Sequence, residues 1–102
     1  MLYGYQGTMG TQPGHRDEVV AILLADVQEL RAAGCELYVV AVSDTDPDRI
    51  WVTEAWQSKE HHQASLQLPT TKAAIARAMP MLTGEVVSQE LSVAGGLGVP
   101  PG

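Results

Sequence analysis

The chain has 102 residues, a length that supports one domain. Its formal net charge is −6 at pH 7 and its six lysine and arginine residues are scattered, so we expect no binding to nucleic acid or to an anionic membrane. The single cysteine, Cys35, excludes an internal disulfide and makes a structural zinc site a poor interpretation. We see no long apolar run and no secretory signal pattern, so we expect a cytoplasmic protein.

The first half of the sequence predicts a strand, a helix and a second strand. Residues 2–12 alternate in side-chain character as a strand does. Residues 16–33 place apolar side chains at helical spacing, and Gly34 is a plausible stop for that helix. Residues 35–43 are rich in β-branched side chains and almost wholly apolar, which favours a strand covered on both faces.

The second half predicts two further strands with helical segments between them. Residues 50–56 form the third strand, close enough in sequence to the second to pair with it as a hairpin. Ser58 is placed to cap a short helix, which Pro69 interrupts. Thr70 is placed to cap a second helical piece. Residues 85–93 alternate again and predict the fourth strand.

The predicted order is therefore β-α-β-β-α-β, the ferredoxin-like arrangement of an α+β fold. Right-handed crossovers place both helices on one face of a four-stranded antiparallel sheet, and any pocket lies between the sheet and its helices or near a dimer seam. The other face stays open and apolar, which predicts a homodimer. We assign residues 1–94 to the domain and the Gly/Pro-rich residues 95–102 to a flexible tail.

Four segments, spread over nearly the whole chain, carry features that occur together in one known family. They are Thr11-Gln12-Pro13-Gly14, Cys35-Glu36-Leu37-Tyr38, Glu54-Ala55-Trp56-Gln57-Ser58 with the histidines that follow, and Val93-Ala94-Gly95-Gly96-Leu97-Gly98. These segments resemble antibiotic-biosynthesis-monooxygenase domains. The resemblance implies a dimeric α/β barrel. It also implies a cofactor-independent monooxygenase that oxidises a quinol-like or polyketide aromatic molecule.

The resemblance leaves other functions open, because relatives also degrade haem, isomerise small molecules or have no known activity. The haem-degrading branch carries an Asn/Trp/His set, and this chain contains no asparagine. Many relatives have a histidine eleven residues after the strand glutamate, where Ser65 follows Glu54 here. The alternative to an enzyme is a non-catalytic dimeric barrel that binds an apolar or aromatic small molecule.

His62 and Glu54 are the candidate catalytic residues. His62 follows the third strand, and a histidine is suited to ionise a phenolic or enolic substrate near neutral pH. Glu54 shares a strand face with apolar side chains, so it is either paired, for example with Arg77, or placed beside a wet cavity. The neighbouring His61 points about 100° away around the helix, which disfavours a metal site made from the two histidines.

Four further residues are candidate substrate contacts. Trp56, Tyr5 and Tyr38 can stack on an aromatic ring or orient an oxygen, although each can equally fill the core or an interface. Ser65 is included because of its position relative to Glu54. We predict neither a metal nor another cofactor, since the sequence has no G-x-G-x-x-G loop and no credible metal-ligand cluster.

Overall fold

The computed structural model describes residues 1–100, which form four strands, four α-helices and a short 3₁₀ turn. The strands are β1 (Leu2–Thr11), β2 (Cys35–Val42), β3 (Arg49–Trp56) and β4 (Leu82–Val93). The helices are α1 (Arg16–Leu24), α2 (Val27–Ala32), α3 (Lys59–Ser65) and α4 (Pro69–Ala78), and the 3₁₀ turn (Met79–Met81) leads into β4.

The four strands form one antiparallel sheet in the order β2-β3-β1-β4, with the helices against one face. The predicted α+β order and sheet are confirmed, as is the division of the second helical region into two helices, whereas the first predicted helix is divided into α1 and α2. One row of paired residues runs across all four strands on the helix side: Tyr38, Glu54, Tyr5 and Glu90. Antiparallel partners point to the same face of a sheet, so this row forms part of the floor beneath the helices.

The register of this row depends on an irregularity at the start of β2. Cys35 pairs with Trp56, but Leu37 pairs with Ala55, so Glu36 is the extra residue of a bulge. A bulge adds one residue to one strand and shifts every later partner by one. The shift places Tyr38 opposite Glu54.

The prediction of one continuous helix over residues 16–33 is wrong. The chain leaves helical geometry at Asp26, which has φ −122° and ψ 35° and precedes the first residue of α2. Aspartate competes with helix interiors through its short polar side chain and favours helix starts. The apolar spacing continues across this point, so periodicity alone could not reveal the break.

The second helical region has the predicted first cap but a different second one. Ser58 caps α3 as expected, because its hydroxyl accepts a hydrogen bond of 3.1 Å from the backbone N–H of His61. Helix α4 begins at Pro69 after an extended Leu68, so Pro69 starts this helix and Thr70 lies inside it. Proline suits the first helical position because its fixed φ is already helical and that position needs no N–H.

The core lies between α1 and the centre of the sheet. Val19 of α1 and Ile50 of β3 are fully buried, and both pack with Val52. The opposite face of the sheet leaves several large apolar side chains exposed, as predicted: Val39, Trp51, Val87 and Leu91.

The chain after β4 folds back toward the N-terminus. Val99 and Pro100 lie beside Met1 and Leu2, whereas Leu97 is fully exposed. Residues 101–102 of the predicted flexible tail lie outside the described residues, and the tail's flexibility stays a prediction. Within residues 1–100, the helices are too short to cross a membrane.

We predict that Gly34→Ala destabilises the fold by more than Gly14→Ala. Both glycines have positive φ, 109° and 81°, so both substitutions impose backbone strain of roughly 1–3 kcal/mol. A Cβ at Gly34 would also lie 2.7 Å from the ring of His61, whereas a Cβ at Gly14 meets nothing within 4 Å. Urea unfolding measures the difference. The double variant Gly34→Ala/His61→Ala should recover part of the loss, and equal losses at the two glycines would contradict this account.

Candidate functional site

A cavity of about 270 Å³ opens between the helix side of the sheet and the four helices. Its wall is mainly apolar, and ligand pockets are typically apolar with a few placed polar groups. The polar groups of its inner part come from the sheet row and from α3. The lining residues are Tyr5, Met9, Ile22, Leu23, Asp26, Glu29, Leu30, Tyr38, Glu54, His62, Ser65, Leu66, Thr70, Thr71, Ala74, Ile75, Ala78 and Leu82.

His62 lies at the inner end of the cavity, where its residue is only 7% exposed. The Ser58 cap fixes the start of α3, and this start directs His62 toward the sheet while His61 lies over Gly34. The imidazole packs against three aromatic rings, which together we call the aromatic cluster. Its ring centroid lies 4.6 Å from that of Tyr5, 5.4 Å from that of Trp56 and 5.5 Å from that of Tyr3.

Glu54 points into the same inner end and is held by Trp56. The indole N–H of Trp56 donates a 2.9 Å hydrogen bond to Oε1 of Glu54, and the same oxygen lies 3.9 Å from Nε2 of His62. Of the two alternatives for Glu54, the structure supports a place beside the cavity, and its hydrogen-bond donor is the Trp56 indole and not Arg77. Because Trp56 is only 1% exposed and does not line the cavity, the geometry does not support its prediction as a substrate contact.

Burial moves the pKa values of the two candidate catalytic groups in opposite directions. Loss of hydration raises the pKa of Glu54, and the Trp56 hydrogen bond counteracts part of that rise. Loss of hydration lowers the pKa of His62, and the charge of Glu90 counteracts this. At neutral pH, His62 is therefore a neutral imidazole with a lone pair available.

The remaining predicted contacts lie around this pair. Tyr5 lines the cavity and its hydroxyl donates to the Ser88 hydroxyl at 2.9 Å. Tyr38 lines the opposite side of Glu54, and burial raises the pKa of its phenol, which therefore stays protonated. The Ser65 hydroxyl lines the cavity but donates to the backbone carbonyl of His62 at 2.6 Å. Tyr5, Tyr38 and Ser65 thus share one cavity with His62 and Glu54.

The sequence and the fold agree on a family. The sequence profile described as antibiotic biosynthesis monooxygenase matches residues 3–77. The chain belongs to the antibiotic biosynthesis monooxygenase family. A crystal structure from Chloroflexus aurantiacus, provisionally named as a member of that family, is 39% identical, with a TM-score of 0.79 over 95% of this chain and 99% of that chain.

More distant structures share the fold. A protein from Caulobacter crescentus with the same provisional name is 24% identical, with a TM-score of 0.83 over 92% of this chain and 91% of that chain. Another from Nitrosomonas europaea is 12% identical, with a TM-score of 0.82 over 94% of this chain and 90% of that chain. Among curated proteins, no sequence matches the chain significantly.

In this member of the antibiotic biosynthesis monooxygenase family, two parts of the site could not be predicted from the sequence. The hydroxyl of Tyr3 donates to Glu90 at 2.9 Å, and Glu90 also pairs with Lys59 at 2.9 Å, which ties the aromatic cluster to the exposed edge strand. Burial, with the help of Glu90, raises the pKa of Tyr3 to about 12. The second part is a pair of acidic residues at the cavity opening, Asp26 and Glu29. The sequence signal that could have indicated this pair is Asp26, because aspartate inside a predicted helix favours a helix start.

We predict that Trp56→Phe destabilises the protein more at pH 8 than at pH 5. The variant keeps an aromatic ring but leaves a buried carboxylate without its indole donor, which typically costs about 1–3 kcal/mol. The indole hydrogen bond lowers the pKa of Glu54, so it stabilises the carboxylate form and its contribution fades as falling pH protonates that group.

Urea unfolding at the two pH values gives the measurement. The matched control is Trp51→Phe on the opposite face of the sheet, whose effect should not depend on the protonation of Glu54. A Trp56→Phe loss that stays constant between pH 5 and pH 8 would contradict the role of the indole as an anchor for the carboxylate.

Proposed function

We propose that the protein is a cofactor-independent monooxygenase that oxidises a quinol-like or related polycyclic phenol with dioxygen. The observation that carries the proposal is the placement of His62: a buried imidazole at the inner end of an apolar cavity, 3.9 Å from a buried carboxylate. Membership of the monooxygenase family supports the reaction class.

The first step of the proposed reaction is removal of the phenolic proton by His62. A phenolate is a better electron donor than the phenol, so ionisation prepares the substrate to reduce dioxygen. Burial lowers the pKa of His62, which keeps it in the unprotonated form that accepts a proton. General-base help of this kind typically contributes ~10²–10⁴ in rate.

The next steps transfer electrons and oxygen without a metal or flavin. The phenolate gives one electron to dioxygen, and the resulting radical pair combines to form a carbon–oxygen bond at a ring or benzylic carbon. Loss of the remaining hydrogen from that carbon, with cleavage of the O–O bond, yields a carbonyl group. One oxygen atom stays in the quinone product, and the other leaves as water with the two hydrogens lost by the substrate. The protonated His62 supplies the proton that the departing oxygen needs.

Glu54 has the role of stabilising the imidazolium that forms during the reaction. Its Oε1 is held 3.9 Å from Nε2 of His62 by the Trp56 indole, so a positive charge on the ring gains an attractive partner without rearrangement. Glu54 thereby lowers the free-energy cost of transferring the substrate proton to His62. Tyr5 and Tyr38, on either side of Glu54 in the sheet row, would contact the substrate ring or its oxygen.

A second candidate function is binding of an aromatic molecule without conversion. The apolar cavity supports this function as well. Ser65 stands where many relatives have a histidine, and its hydroxyl donates to the backbone carbonyl of His62, so this position supplies no second base. Oxygen uptake with a panel of quinols and anthrones separates the two functions, because a binding protein consumes no dioxygen.

We predict that His62→Ala lowers turnover by ~10²–10⁴ with a substrate that supports oxygen uptake, because the base is lost. An oxygen electrode gives the rate, and circular dichroism checks that the variant is folded. The matched control is His61→Ala, the adjacent exposed histidine that packs over Gly34 and leaves the cavity unchanged. Equal, wild-type rates for both variants would rule out His62 as the base.

We also propose that the protein works as a homodimer, formed through the open face of the sheet. The exposed apolar side chains on that face, contributed by three strands, are costly to leave in water. The family resemblance to dimeric barrels supports the same assembly.

We predict that light scattering at micromolar concentration gives a dimer for the wild type and a monomer for Val39→Lys. Val39 lies on the edge strand β2, and a charged side chain there would be buried in the proposed interface, which is unfavourable. Met79→Lys, an equally drastic change at an exposed residue beyond α4, should remain dimeric. A monomeric wild type would refute the proposed assembly.

A further inference from the structure

The ionisable side chains of the cavity wall are mostly acidic. Among the lining residues, three carry carboxyl groups, one is histidine, and none is lysine or arginine. Two basic side chains from the sheet and α3 have acidic partners outside the cavity: Lys59 pairs with Glu90, and Arg49 pairs with Asp46 and Glu85. No lysine or arginine lines the cavity, so its wall presents no permanent cation to a negatively charged ligand.

The carboxyl groups lie at both ends of the cavity. Asp26 and Glu29 are exposed and line the opening, whereas Glu54 is mostly buried at the inner end beside His62. We call Asp26 and Glu29 the acidic rim. The hydroxyl of Thr70 on α4 donates a hydrogen bond to the Glu29 carboxylate, which fixes this charge across the gap between α2 and α4. Because the rim residues are exposed and His62 is buried, a ligand that enters from solvent meets the acidic rim before His62.

Another part of the exposed lining is apolar. Leu66 and Ile75 are both exposed and both line the cavity, so an aromatic ring can slide along them while a charged substituent would face the acidic rim. Like charges repel over several ångströms near a protein surface, and more strongly where low-dielectric walls reduce screening. An anionic substituent is therefore disfavoured along the whole path, at the opening by the rim and at the inner end by Glu54.

The volume of the cavity limits the size of the ring system that it can hold. An apolar cavity of about 150 Å³ is known to hold benzene. The cavity here is about 270 Å³, which accommodates two fused rings with small substituents.

We infer that the cavity selects uncharged phenols with about two fused rings, and that Asp26 and Glu29 reject analogues with an anionic substituent. The inference rests on the proposed function, since it assumes that this cavity holds the substrate. It assigns a specificity role to two residues that take no part in the chemistry.

The test compares three small naphthols at pH 7: 2-naphthol, 6-hydroxy-2-naphthamide and 6-hydroxy-2-naphthoate. The amide and the carboxylate have nearly the same size, so their ratio of affinities isolates charge from bulk. Titration calorimetry on the full-length protein in low-salt buffer gives the affinities. We expect the amide to bind about tenfold more tightly than the carboxylate. Repulsion between the ligand carboxylate and a few protein carboxylates at ~8 Å has this magnitude when the effective dielectric constant lies between those of water and dry protein.

The acidic rim is then neutralised by the near-isosteric double variant Asp26→Asn/Glu29→Gln, in which the glutamine oxygen can still accept the Thr70 hydrogen bond. We expect the amide-to-carboxylate ratio to fall at least threefold, while the affinity for 2-naphthol changes little. The matched control is Asp17→Asn, an exposed acid in the first turn of α1 that does not line the cavity. Added salt should also lower the wild-type ratio, since screening shortens the reach of the rim charges.

The outcomes separate the inference from the proposed function. Equal binding of amide and carboxylate by the wild type would overturn the charge selection and leave the proposed function standing. An unchanged ratio in the double variant, or an equal fall in Asp17→Asn, would overturn the role of the acidic rim. Failure of 2-naphthol and of the amide to bind at all would contradict the use of this cavity, and with it both the proposed function and the inference.

Discussion

The burial of the Glu54 carboxylate is the constraint on which the rest of the site depends. A carboxylate taken out of water is costly unless donors or charges compensate, and here the indole of Trp56 supplies the donor two residues further along the same strand. Because residues two apart in a strand point to the same face, β3 provides both the acid and its anchor. His62 then closes over this pair from α3, so the site needs only one strand and one helix to assemble its central groups.

The strand pairings decide which side chains surround this carboxylate. The bulge at Glu36 places Tyr38 opposite Glu54, where an unbroken ladder would have placed Leu37. On the other side, the pairing of β1 with β3 brings Tyr5 opposite the same residue. A single-residue change in either register would exchange a hydroxyl-bearing ring for another side chain, so the polar character of the inner cavity follows from backbone geometry as much as from residue choice.

The order of elements and the open sheet face could be predicted from the sequence, because they follow from local periodicity. His62 and Glu54 could each be named as candidates from their positions along the chain, but their contact could not. The hydrogen bond from Trp56 to Glu54 could not be predicted from the sequence. Alternation along the strand places both side chains on one face but does not determine the orientation of the indole. The break at Asp26 was missed for a related reason. Apolar spacing persists through it, and only the tertiary path of α2 over the cavity makes the aspartate part of the opening.

Burial shifts the pKa values of Glu54 and His62 in opposite directions, and both shifts favour the neutral form of the group. Burial raises the pKa of Glu54, so the native state loses stability as pH rises from the ordinary glutamate value of 4.5 through the pKa of this group in the folded protein. Burial lowers the pKa of His62, so the native state also loses stability as pH falls from the ordinary histidine value of 6.5 through the folded pKa of the imidazole. With respect to these two groups, the fold favours the least charged state of the pair. In the proposed reaction, a phenolic proton converts the imidazole of His62 to an imidazolium. When Glu54 is ionised, the attraction between the two charges offsets part of the cost of burying each of them. Burial thus disfavours each charge alone, and the 3.9 Å separation between Oε1 of Glu54 and Nε2 of His62 makes the charged pair less costly than the two charges apart.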